Sequence, residues 1–129
     1  MPAVLKVDPQ RRIVLTAFYG SVSGREVLRH QAIISTDPYF QPNFADVVDL
    51  SSVSVATIDD SVLTTLAATP SIFGPDAPHV IVAPADLPFE IALKYQDISR
   101  ESRPNLHVVR TLAEARQLLH KLGFRLSDE

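Results

Sequence analysis

The stretch Ala45-Asp-Val-Val-Asp-Leu-Ser-Ser-Val-Ser54, followed shortly by Ile58-Asp-Asp-Ser-Val-Leu-Thr-Thr-Leu-Ala-Ala68, decides the fold. Residues 47–50 are apolar and β-branched enough for a short buried strand that ends in Asp49-Leu50-Ser51. Beyond a brief loop, Ile58, Val62, Leu63, Leu66 and Ala67 recur at helical spacing and form one apolar face. Thr57-Ile-Asp-Asp60 caps that helix and sets its acids near the positive end of the dipole. A strand, a short loop and an amphipathic helix make one β-α unit.

Upstream, Asp8-Pro9-Gln10-Arg11 is a turn, because proline presets φ at the second position and aspartate favours the first. It joins strands at 5–8 and 12–19 into an antiparallel hairpin that Gly20 ends. Ser23-Gly-Arg-Glu26 is a capping box. The helix it opens runs to about Thr36, stopped by Asp37-Pro38, with Val27, Leu28, Ala32 and Ile34 directed inward and Ile33 off that stripe.

Downstream, Pro70 closes the helix and a loop extends to Pro78. The apolar run 79–83 suits a strand covered on both faces. A helix over 88–102 carries Pro88 in its first turn, where the missing amide costs little. It shows two apolar stripes, Phe89, Ala92 and Leu93 on one and Ile91, Tyr95 and Ile98 on the other. A strand at 106–110 leads into a second capping box, Thr111-Leu-Ala-Glu114. Leu112, Ala115, Leu118, Leu119 and Leu122 carry the apolar face of the last helix. Gly123 is a left-handed stop with Phe124 folding back, and residues 127–129 should fray. The order β-β-α-β-α-β-α-β-α predicts an α/β fold, a mixed sheet of about five strands with flanking helices. Residues 1–129 form one domain with its core over about 4–124.

Composition removes several function classes. The chain has no cysteine, which excludes disulfides, zinc-thiolate sites and thiol nucleophiles. Its net charge of −3, with basic residues scattered, lacks the cationic patch that displaces phosphate counterions, so nucleic acid is not an expected partner. No basic segment precedes an apolar one at the N-terminus, and no apolar run approaches the ~20 residues of a membrane span. A cytoplasmic protein without membrane insertion is expected.

With this order in place, Val47-Val-Asp-Leu-Ser-Ser-Val-Ser54 resembles the central strand of STAS domains, the fold of bacterial anti-sigma-factor antagonists. The fuller likeness is to the SpoIIAA-like group. Tyr19-Gly20 before Ser23-Gly-Arg-Glu26, Asp37-Pro38 after the first helix, and Thr111-Leu-Ala-Glu-Ala-Arg-Gln-Leu-Leu119 all match in kind. The resemblance covers roughly 4–122 and implies a regulatory protein-interaction module in a bacterial cytoplasm. In the antagonists a serine within Asp-Ser-Ser-Gly at the following helix start is phosphorylated. Here the region reads Asp59-Asp60-Ser61-Val62, which keeps Ser61 as a candidate acceptor but lacks the second serine and the glycine. Asp59 and Asp60 already occupy the helix-start field and repel phosphate.

No nucleophile–base set, metal-ligand spacing or cofactor motif stands out, so neither catalysis, a metal nor a cofactor is expected. Gly20-Ser-Val-Ser-Gly24 has valine where a hydrolase elbow needs serine, and it lacks the lysine of a P-loop. His30, His79, His107 and His120 have no i, i+4 pairing. Asp46 and Asp49, three apart, point to opposite sides of a strand. Glu90 and Lys94 form an i, i+4 pair on the helix surface. The expected partner surface is Thr57, Asp59, Asp60 and Ser61. Ile91, Tyr95 and Ile98 serve either core packing or a homodimer. The alternative function is binding of a small apolar ligand or lipid of Sec14-like character, in a cavity lined by Phe40, Phe44, Phe73, Phe89 and Tyr95.

Overall fold

Asp8 turns the chain back on itself by accepting from the amides of Gln10 and Arg11, each at 3.1 Å. Strand β1 (Ala3–Asp8) thereby pairs antiparallel with β2 (Ile13–Ser23) from Asp8↔Ile13 to Ala3↔Phe18. The chain continues as α1 (Gly24–Ser35), β3 (Ala45–Thr57), α2 (Asp60–Ala68) and β4 (His79–Val82). It closes with α3 (Asp86–Ile98), β5 (Leu106–Val109) and α4 (Leu112–Lys121). The computed structural model describes residues 3–126, the Val55 side chain excepted, and the expected fraying at 127–129 lies outside the described residues.

The five strands lie in sequence order, β1-β2-β3-β4-β5, with β2 to β5 parallel and β1 antiparallel to β2. Parallel strands that advance in one direction through right-handed crossovers place every connecting helix on the same face. Hence α1, α2 and α3 share one side of the sheet and α4 covers the other. Strand alternation sorts the core accordingly. Ile13, Ala45, Val47, Val80 and Val82 pack on Ala115 and Leu119 of α4. Val14 faces the opposite way, toward Ile34, Phe44, Phe73 and Ala77.

Helix ends follow their local signals. Ser23 and Thr111 cap their helices by accepting from the Glu26 and Glu114 amides, and their hydroxyls donate to the same residues' carboxylates. Gly123, at φ +90°, ends α4, with Phe124 N–H donating to Leu119 C=O at 2.8 Å and Gly123 N–H to His120 C=O at 3.1 Å. That is the six-to-one and five-to-two pairing of a Schellman stop.

Three expectations change. Gly20 does not end β2; at φ +68° it sits in a bulge, and parallel pairing resumes to Ser23↔Thr57. The expected loop after Asp49-Leu50-Ser51 is likewise the outer half of β3, running to Thr57. There β2 and β3 extend beyond the described part of β1, whose outermost pair is Ala3↔Phe18, and beyond β4, which stops at Asp49↔Val82. Helix α3 ends at Ile98 rather than residue 102, because the Ser99 hydroxyl donates to the Tyr95 carbonyl and the chain tightens into a turn.

Candidate functional site: a cavity between sheet and helices

The side of the sheet that carries three helices is not filled. A cavity of ≈ 130 Å³, partly open to solvent, lies between them. Its floor is Thr16 and Phe18 of β2, Asp46, Val48 and Leu50 of β3, and His79 and Ile81 of β4. These positions are two apart along each strand and therefore share a face. Helix α1 contributes Val27, His30, Gln31 and Ile34, and α2 contributes Leu63 and Leu66. Helix α3 contributes Pro88, Ile91, Ala92 and Tyr95.

Strand direction gives the cavity two unlike ends. The first residues of β3 and β4 supply a polar pair, with Asp46 Oδ2 3.2 Å from His79 Nδ1, both buried. Thr16 Oγ1 lies 2.8 Å from His30 Nε2, and that imidazole meets the Phe18 ring edge-on at 5.2 Å. Arg103, only 6% exposed, stands at the same end with its guanidinium 5.7 Å from the Tyr95 ring centroid. It donates to the carbonyls of Ala67 at 3.3 Å and Thr69 at 2.9 Å and to the Ser102 hydroxyl at 3.4 Å. The outer end is apolar: Leu50, Val53 and Ala56 of β3, Ile58 beyond it, and Ile91.

Burial governs the ionisation of this wall. It lowers the His30 pKa below the ordinary imidazole value, with the Asp46 charge opposing, so His30 is neutral at neutral pH. Burial also raises the Tyr95 phenol, opposed by Arg103 and reinforced by Asp46. Thr16 beside His30 has the outline of a nucleophile and base, yet Thr16 is fully buried at the floor. Among the described residues, no three His, Asp or Glu side chains gather as metal ligands.

The structure distributes the sequence-predicted residues between this cavity and its rim. Asp59 caps α2 by accepting from Val62 N–H at 2.9 Å, and Thr57 Oγ1 donates to the Val22 carbonyl at 3.4 Å. Asp60 and Ser61 are exposed in the first turn; Asp60 lies 3.4 Å from Lys94, which replaces the expected Glu90–Lys94 pair. The self-association stripe is divided: Ile91 and Tyr95 line the cavity, while Ile98 is 44% exposed. On the other α3 stripe only Ala92 turns inward. Leu93 is exposed, and Phe89 lies under the Arg110 guanidinium at 3.7 Å.

Of the five aromatics expected to line a cavity, only Tyr95 does. Phe40 meets Phe44 and Phe73 edge-on, at 6.2 and 5.2 Å, in a cluster of their own. On α1, Ala32 is exposed, and the inward position belongs to His30. Thr16, His30, Asp46, His79 and Arg103 are the site residues that sequence reasoning missed. The available signal was the spacing of Val27, His30 and Ile34, which is helical once His30 is counted as an inward residue.

The chain matches no protein-family model and no curated protein. Among the described residues, no helix is long and apolar enough to cross a membrane.

Proposed function

We propose that this protein is a non-enzymatic, STAS-like module of the bacterial cytoplasm that binds a small, largely apolar molecule between its sheet and helices. The cavity is the observation that carries the reading. Packed interiors contain few voids larger than a water molecule, and each void forfeits contacts. A space of ≈ 130 Å³ walled by Val48, Leu50, Leu63, Ile81 and Ile91 is therefore an unfilled site. Its size sets the cargo. An apolar cavity of roughly 150 Å³ takes up benzene, whereas sites for drug-sized ligands span about 300–1,000 Å³. The fit is to a single-ring or short-chain molecule, smaller than a lipid.

A regulatory role follows from adjacency. Ile58 lines the cavity, and the next two residues are Asp59 and Asp60 at the exposed start of α2. Occupancy sensed by Ile58 is thus conveyed to the surface formed by Thr57, Asp59, Asp60 and Ser61, where a protein partner binds. Toluene should raise the melting temperature of the wild-type protein in a concentration-dependent way, since binding only the folded state stabilises it. The cavity-filling Ala56→Phe variant should lose that response. A wild-type melting temperature unmoved by toluene at millimolar concentration contradicts the reading.

A further inference from the structure

We propose that the cavity selects an uncharged molecule with one hydrogen-bonding head, a phenol or an alcohol, and seats that head between Tyr95, Gln31 and His30. This rests on the cavity being a ligand site. Tyr95 and Gln31 both line it, and among the described residues neither side chain's polar group has a hydrogen-bond partner. His30 engages Thr16 through Nε2, leaving Nδ1 without a partner among the described residues. Each of these groups keeps an accessible polar atom at the partly open cavity, and a ligand hydroxyl, which both donates and accepts, can take the place of water there.

Charge balance selects against ionised heads. Arg103 is the cation at this end, but its guanidinium already donates to Ala67, Thr69 and Ser102. Asp46 is the anion and is engaged with His79. An entering carboxylate sheds its water opposite Asp46 and finds Arg103 committed, while an ammonium sheds its water opposite Arg103. Desolvating either charge without a dedicated partner is costly. A neutral hydroxyl carries no such penalty, and its hydrocarbon part lies along Leu50, Val53, Ile58 and Ile91 at the other end.

Three ring compounds of similar shape test this on the full chain by isothermal titration at pH 7.5: phenol, toluene and benzoate. Phenol should bind about three- to tenfold more tightly than toluene, the worth of one net hydrogen bond, and benzoate should bind most weakly. Tyr95→Phe should bring phenol down to the toluene level without changing toluene, and Gln31→Leu should act in the same direction. Circular dichroism confirms that each variant is folded. Equal affinity for phenol and toluene in the wild type overturns the proposal while leaving the cavity a ligand site, as does tightest binding of benzoate. If none of the three binds, the cavity reading fails and this inference fails with it.

Discussion

At Gly24 one methyl group decides whether α1 and α2 can meet. A Cβ there would lie 2.0 Å from Val62 Cγ1 and 3.3 Å from Val62 Cβ. Valine is stiff at χ1, so its side chain cannot swing away cheaply. Gly24→Ala should therefore destabilise the protein by about 1–3 kcal/mol through overpacking. Adding Val62→Ala should recover part of the loss, read as coupling in a double-mutant cycle by urea unfolding. The four histidines have individual fates that the sequence alone does not distinguish. His30 and His107 have pKa values lowered below 6.5, chiefly by burial. Asp46 opposes the shift at His30, and the His79 charge adds to it at His107. The unfolded chain then binds more protons than the native state once the pH falls below 6.5. Stability should decline from there until the folded-state values are passed and the penalty is complete. His30→Gln should flatten part of that slope in urea titrations between pH 7.5 and pH 5. An unchanged slope would assign the proton uptake elsewhere. His30 is hard to read from sequence because an imidazole scores as polar, whereas Thr16, supplied from a distant strand, satisfies it inside the core.

Helices and strands differ in how much of themselves the sequence displays. Helix ends are legible because caps are local: Ser23 with Glu26, Thr111 with Glu114, and Gly123 all act within a few residues of the boundary they set. The outer half of β3 is not legible, because Ser51, Ser52 and Ser54 are exposed and polar, and its pairing comes from residues 19–23 far upstream. The same non-locality hides Arg103, whose buried guanidinium acts as a distant cap on the carboxyl end of α2. Replacing it with alanine should cost about 2–4 kcal/mol, the worth of charge-assisted hydrogen bonds plus stranded carbonyls. Arg103→Lys should recover less than half of that, since a single ammonium cannot span Ala67 and Thr69 as the planar fork does. Chemical denaturation of the two variants side by side checks both figures. Equal stability of Arg103→Lys and the wild type would reduce Arg103 to a point charge.

Over the whole molecule, sheet order is the consequential fact. Strands that advance β2-β3-β4-β5 put three helices on one face and leave α4 to cover the other. The mixed α/β architecture is legible from the alternation of elements. The cavity is not, since it depends on how closely three helices approach one face, and the Gly24–Val62 contact is part of that spacing. The aromatics expected to wall a cavity illustrate the point: Phe40, Phe44 and Phe73 pack on one another instead. A ligand filling ≈ 130 Å³ offers only a few heavy atoms. Affinity for a simple ring should accordingly be near 0.1–1 mM, roughly 4–5.5 kcal/mol. The central claim, that this space is a ligand site, is tested most directly by methyl-resolved NMR of the labelled protein titrated with toluene. The account predicts saturable shifts concentrated on Val48, Leu50, Val53, Leu63, Ile81 and Ile91, with Ile13, Val82 and Leu119 on the α4 side still. Shifts absent at saturating toluene, or scattered over exposed residues such as Leu87, Leu112 and Leu122, would contradict it.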